Sequence, residues 1–180
     1  MSNETGKLHQ DLTILIAMAA GMDGYLLRKD LFQTIQPGMP QLTLGGYLLR
    51  QHRLQALQGS LLNADEQARL TEAVAQFEQA KASRATYFAQ KGEREYKSRL
   101  RQWREYLRDL AEGASRGSGY ATRVEVRAML EYLPAPANSD LAALDAQLRQ
   151  HWQAGAFVWP ADWQTAYPAD RYWWLYGAIK

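Results

Sequence analysis

Two aspartates stand in an echo near the C-terminus, Trp159-Pro-Ala-Asp162 and then Tyr167-Pro-Ala-Asp170. A pair of carboxylates can serve as acid and base, as in glycoside hydrolysis. Each of these, however, follows a proline suited to opening a helix, where a carboxylate meets exposed amides and the positive end of the dipole. The echo therefore reads as two helix starts of one or two turns each, and no catalytic residue is assigned. The three histidines, His9, His52 and His151, are scattered, with no HExxH, Glu-x-x-His or EF-hand spacing around them. His151, beside Trp152, is the one to inspect for a nearby carboxylate. No metal and no cofactor are expected. Gly113 to Gly119 lacks the lysine of a phosphate loop and follows a helix rather than a strand, and Gly45-Gly46 lacks the other glycines of a dinucleotide fingerprint. The chain has no cysteine, which excludes disulfides, thiolate metal sites, iron–sulfur clusters and cysteine nucleophiles together.

What remains are two surfaces. The first is a basic row, Arg94, Lys97, Arg101, Arg104 and Arg108, whose steps of three and four put it on one helix face. Such a row could bind nucleic acid through phosphates, with Tyr106 or Tyr87 available to stack on bases. The alternative is an ordinary solvated flank, in which Glu95 pairs with Arg99, Arg101 with Glu105, and Glu105 with Arg108. The second surface is the aromatic C-terminal stretch, with Trp159, Trp163, Tyr167, Tyr172, Trp173, Trp174 and Tyr176. Trp and Tyr dominate both cores and interface hot spots, so this tail is a packed lid, a partner-binding surface or the wall of a ligand pocket.

The elements that must position these residues are helical. The 180 residues carry a normal apolar fraction of 47% and a net charge of only +2, which gives no bulk electrostatic case for a nucleic-acid or membrane partner. Residues 1 to 7 read as loose, and Leu8 to Met22 as an apolar helix ended by Gly21 and Asp23-Gly24. Its Leu12 to Ala20 run imitates a secretory core, but Glu4 and Asp11 spoil the flank, and it falls short of the roughly 20 residues that span a bilayer. A second helix is expected over Tyr25 to Ile35, on the stripe Leu27, Leu31 and Ile35. A third starts at a Thr43 cap, and Asn63 with Glu66 forms a capping box for the next.

From Ala64 to Glu112 nearly every residue favours helix, as one rod or a hairpin, with a hinge expected near Lys91-Gly92. Tyr96, Leu100, Trp103, Leu107 and Leu110 mark a bundle or coiled-coil seam in its second half. Gly113 to Gly119 reads as a linker. Beyond it, Thr122 with Glu125 is read as a second capping box, Ser139 or Asn138 as a helix start, and Gly155 as a helix end. No strand is required, although Ala156 to Trp159 could be extended.

The resulting expectation is an all-α protein: an antiparallel helical bundle over 1–112 and a smaller helical part over 120–180, ending in the aromatic, proline-punctuated tail. With no catalytic signature, the leading functional expectation is a cytoplasmic, non-enzymatic scaffold or interaction module with a protein partner or self-association. Nucleic-acid binding by the basic row, and a ligand pocket under the tail, are the alternatives.

Overall fold

The computed structural model describes residues 3–114 and 119–180, with side chains from residue 6 onward. The fold is all-α in class, with one small two-stranded ribbon near the C-terminus. The chain divides into two compact units, Met1–Glu95 and Tyr96–Lys180. Among the described residues no helix is long and apolar enough to cross a membrane.

The first unit is built on α1, Asn3–Leu27, which is longer than expected at both ends. Residues 3 to 7 are helical rather than loose, and Gly21 and Gly24 do not stop the helix. Each glycine costs about 1 kcal/mol of helix propensity. The buried stripe Met18, Met22, Tyr25 and Leu26 outweighs that cost by continuing across both. The expected helix over Tyr25 to Ile35 is absent. Instead Leu31, Gln33 and Ile35 are half-buried while Phe32, Thr34 and Gln36 are exposed, a period of two rather than 3.6. Gln33 and Leu42 exchange both backbone hydrogen bonds, at 3.1 and 2.8 Å. The loop closes on Pro37-Gly38, where Met39 N bonds Gln36 O and Gly38 has φ of 82°, as the third position of a type II turn demands.

Two expected caps are present. Thr43 accepts from Gly46 N at 2.9 Å to open α2, Leu44–Leu61, and Asn63 and Glu66 exchange bonds of 3.0 Å to open α3, Ala64–Ser83. Helix α1 packs against α2 and α3. The core between them is Leu8, Leu12, Leu15 and Met18 of α1, Tyr47, Leu54 and Leu57 of α2, and Leu70, Ala73 and Phe77 of α3. The break in the long helical stretch falls at Arg84, and α4 runs from Ala85 to Ala111 straight through Lys91-Gly92, where a hinge was expected. Arg84 N bonds Ala80 O, and Phe88 N bonds Arg84 O. Arg84 also leaves the helix face to hold Asp23, with bonds of 3.0 and 3.3 Å.

The second unit holds the rest of α4, with Tyr96, Trp103, Leu107 and Leu110 buried and Leu100 half-buried, then α5, Tyr120–Tyr132, and α6, Leu141–His151. Residues 115–118 of the expected linker lie outside the described residues. Helix α5 is capped not by Thr122 and Glu125 but by Gly119, whose carbonyl takes Thr122 N and Arg123 N. The start of α6 falls one residue beyond the expected Ser139, with Asp140 at the cap, while the Ser139 hydroxyl accepts Leu141 N at 3.2 Å. Strands are present after all: β1, Trp152–Phe157, pairs antiparallel with β2, Tyr176–Ile179. Gly155, expected to end α6, sits inside β1. In β2, a Cβ on Gly177 would fall 2.3 Å from Gln153 O and 2.4 Å from the Trp152 ring, so the pairing admits no side chain there.

Between the strands the first Pro-Ala-Asp opens a short 3-10 helix, Ala161–Ala166, with Pro160 at the cap and Asp162 in its first turn. The second makes a turn in which Arg171 N and Tyr172 N both bond Pro168 O, followed by a 3-10 turn at Trp173–Leu175.

Candidate functional site

Two charged residues of α4, one turn apart, show how the first unit is pinned. Glu95 is fully buried and its carboxylate accepts Leu44 N at 2.8 Å and Gly45 N at 3.1 Å. These are orphan amides at the start of α2, where negative charge is favoured. Lys91 is buried as well and donates to Tyr25 O at 2.6 Å and Asp30 O at 2.8 Å, with its ammonium 3.8 Å from the Tyr25 ring centre. It thereby satisfies a carbonyl at the end of α1, the mirror of what Glu95 does for α2. Burial pulls the Lys91 ammonium down to about 8, and the neighbouring charge of Arg94 pushes the same way.

Around Lys91 lies a cleft of about 250 Å³ between the end of α1 and the first turns of α4. Leu26, Leu27 and Tyr87 give it apolar walls, while Arg28, Lys29, Lys91 and Arg94 give it four cations, with Gln90 between. On α4 these contributions come from positions 87, 90, 91 and 94, which share one helix face. Leu27 is 46% exposed and Tyr87 49%, although both are large and apolar. Elsewhere in this unit Arg50 and Arg53 pair with the buried Asp11 and Arg84 with Asp23, while the exposed Arg69 of α3 stands apart from the cleft cations. Among the described residues Arg28, Lys29 and Arg94 have no ion-pair partner. The acid in the loop, Asp30, gives its backbone carbonyl to Lys91, and its carboxylate acts on Lys91 only through its charge.

The basic row singled out in the sequence is exposed throughout: Arg94 in the first unit, and Lys97, Arg101, Arg104 and Arg108 in the second. Arg104 pairs with Asp140 at 3.0 Å. The flank pairs of Glu105 with Arg101 and Arg108 do not form among the described residues. Of the two tyrosines expected to stack on bases, Tyr87 is exposed, whereas Tyr106 is buried. The cleft cations that the sequence did not single out are Arg28, Lys29 and Lys91, the last read only as part of a hinge. Nothing local marks them, because their convergence spans about sixty positions of chain.

In the second unit the tail is an interior. Trp159, Trp163, Tyr167, Tyr172 and Trp174 are buried, and Trp173 and Tyr176 are half-buried. The rings run from Trp163 through Trp159, Tyr167 and Tyr172 to Trp174 with centroid separations of 6.4, 5.0, 5.2 and 5.7 Å, all four pairs edge-on. Hydrogen bonds tie part of this interior down: Trp159 Nε1 donates to Ala121 O and Tyr176 OH to Tyr167 O, and Tyr120 OH of α5 donates to the Trp174 carbonyl at 2.6 Å, while the Trp174 ring nitrogen is buried without a hydrogen bond. A surface formed by all seven tail aromatics is thus reduced to Trp173 and Tyr176, and Arg149 already lies 3.6 Å over the Trp173 ring.

Among the described residues no cluster of three or more His, Asp or Glu side chains is arranged to hold a metal ion. His9 pairs with Glu66 of α3 at 2.7 Å. His151, chosen for inspection, has no carboxylate ion pair among the described residues; its carbonyl accepts Lys180 N. Comparison with family models, curated proteins and solved structures gives no match.

Proposed function

We propose that this chain is a cytoplasmic, non-enzymatic binding module that holds a nucleic acid by its phosphates at the cleft of the first unit. The reading is carried by one observation: Arg28, Lys29 and Arg94 converge beside a buried Lys91 with no carboxylate paired to them among the described residues. Cations near the end of α1 complement its dipole, which is an ordinary structural role. Lys91 already performs that role by direct bonds, so the other three are surplus to it. Their crowding also has a cost, since Arg94 and Arg28 both oppose the charge on Lys91. A bound anion relieves that repulsion, which is the pattern of a site built for one.

Binding of labelled single- and double-stranded DNA and RNA, measured by fluorescence anisotropy at low and at high salt, tests the reading. Phosphate contacts require affinity to fall steeply with salt. Absence of binding at low salt, with capture of an acidic polypeptide instead, would return the chain to the class of protein-interaction modules.

A further inference from the structure

We infer that the cleft takes one unpaired nucleotide, its base against Tyr87 and its phosphate among Arg28, Lys29 and Arg94; the inference rests on the nucleic-acid reading above. The lining is divided by chemistry. One side offers Leu26, Leu27 and the ring of Tyr87, the other offers the cations, and Gln90 supplies an amide donor and acceptor between them. A bare phosphate or an acidic peptide would use the charges and leave the apolar wall wet. A nucleotide uses both, because every base presents a flat π-face beside its phosphate.

Tyr87 stands ready for such a contact. In the second unit the tail rings lie against other rings or cations, whereas among the described residues the Tyr87 ring stacks on no other ring and has no cation over its face, and half of it is exposed. Exposed large apolar side chains beside a basic concavity mark working surface. The cleft, at about 250 Å³, lies just under the roughly 300–1,000 Å³ of drug-sized pockets, so it suits a single nucleotide rather than a run of them. A duplex hides its base faces in the stack, and so the preference must be for unpaired strands.

The experiment compares an oligothymidylate of about 12 nucleotides, within the usual span of single-strand sites, with a duplex of the same length. Wild type, Tyr87→Ala, Tyr87→Phe and the triple variant Arg28→Ala/Lys29→Ala/Arg94→Ala are each titrated after thermal melting confirms that they are folded. Loss of one stacked base predicts at least a fivefold weakening of single-strand binding in Tyr87→Ala, with duplex binding unchanged and Tyr87→Phe close to wild type. The triple variant weakens both. Equal single-strand affinity in Tyr87→Ala and wild type would overturn the nucleotide subsite while leaving phosphate binding in place. Failure of the wild type to bind either oligonucleotide at low salt would overturn both.

Discussion

The arginines around Asp145 and the tail of the second unit and the cations at the cleft of the first are put to opposite uses. In the second unit Arg127 is buried, bonds Asp145 through two nitrogens at 2.8 and 2.9 Å, takes Glu131 at 3.1 Å and lies 4.9 Å from the Trp174 ring centre. Arg171 reaches the same Glu131 and stacks on Tyr172, and Arg149 stacks on Trp173. These arginines hold α5, α6 and the tail together. At the cleft of the first unit Arg28, Lys29 and Arg94 hold nothing together, yet they are kept close to one another and to Lys91. A charge that the fold consumes is structural; a charge that the fold assembles and leaves open is available to a ligand.

The largest expected effect comes from breaking the structural side of this contrast. Arg127→Met leaves Asp145 without its cation and Glu131 with only the exposed Arg171, and should cost about 3 kcal/mol, as removal of one partner of a buried pair does. Arg94→Met should change stability by less than about 0.5 kcal/mol, the usual range for an exposed position. Denaturant melts of the two variants check the pair; equal losses would erase the distinction.

Glu95→Ala sharpens it within α4 itself, since Glu95 is the next residue to Arg94 yet serves the fold. Loss of two charge-assisted bonds to the α2 amides predicts about 2 kcal/mol of destabilisation, and amide exchange at Leu44 and Gly45 should rise with it.

A smaller effect is expected from pH. Lys91, with its ammonium lowered to about 8, faces Arg28 and Asp30 from the loop after α1, Tyr25 from α1, and Arg94 and Glu95 on its own helix. It is charged below pH 8 and loses its proton as the pH rises through that value. Anion affinity of the cleft should therefore fall by about threefold between pH 7 and 9, the weight of one partly screened charge. Lys91→Met should show no such fall. A steeper loss shared by both would place the titrating group elsewhere.

Legibility in the sequence followed locality. The capping box of Asn63 with Glu66 and the Thr43 cap are contained in four residues each, and both stand as read. The stripes of α3 and α4 were readable because helical spacing repeats over many turns. Gly21 and Gly24 misled, since the burial that carries α1 across them comes from α2 and α3, which the local sequence does not contain. The strands hid for a similar reason: the Gly155 and Gly177 environment is defined only when residues 25 positions apart meet. At the candidate site, Arg94 and Tyr87 were visible as members of an exposed helix face, but their partners Arg28 and Lys29 arrive from the other end of the unit's chain. The bonds of Glu95 to the first amides of α2 were not legible, because they join residues 51 and 50 positions apart.

The most direct test of the open-charge account is the slope of log affinity against log salt for a single-stranded oligonucleotide, compared between wild type and the Arg28→Ala/Lys29→Ala/Arg94→Ala variant. Each phosphate contact contributes about −0.7 to the slope for single strands, so losing three cations should flatten it by about 2. Identical slopes and affinities in two equally folded proteins would mean that the cleft's charges touch no phosphate.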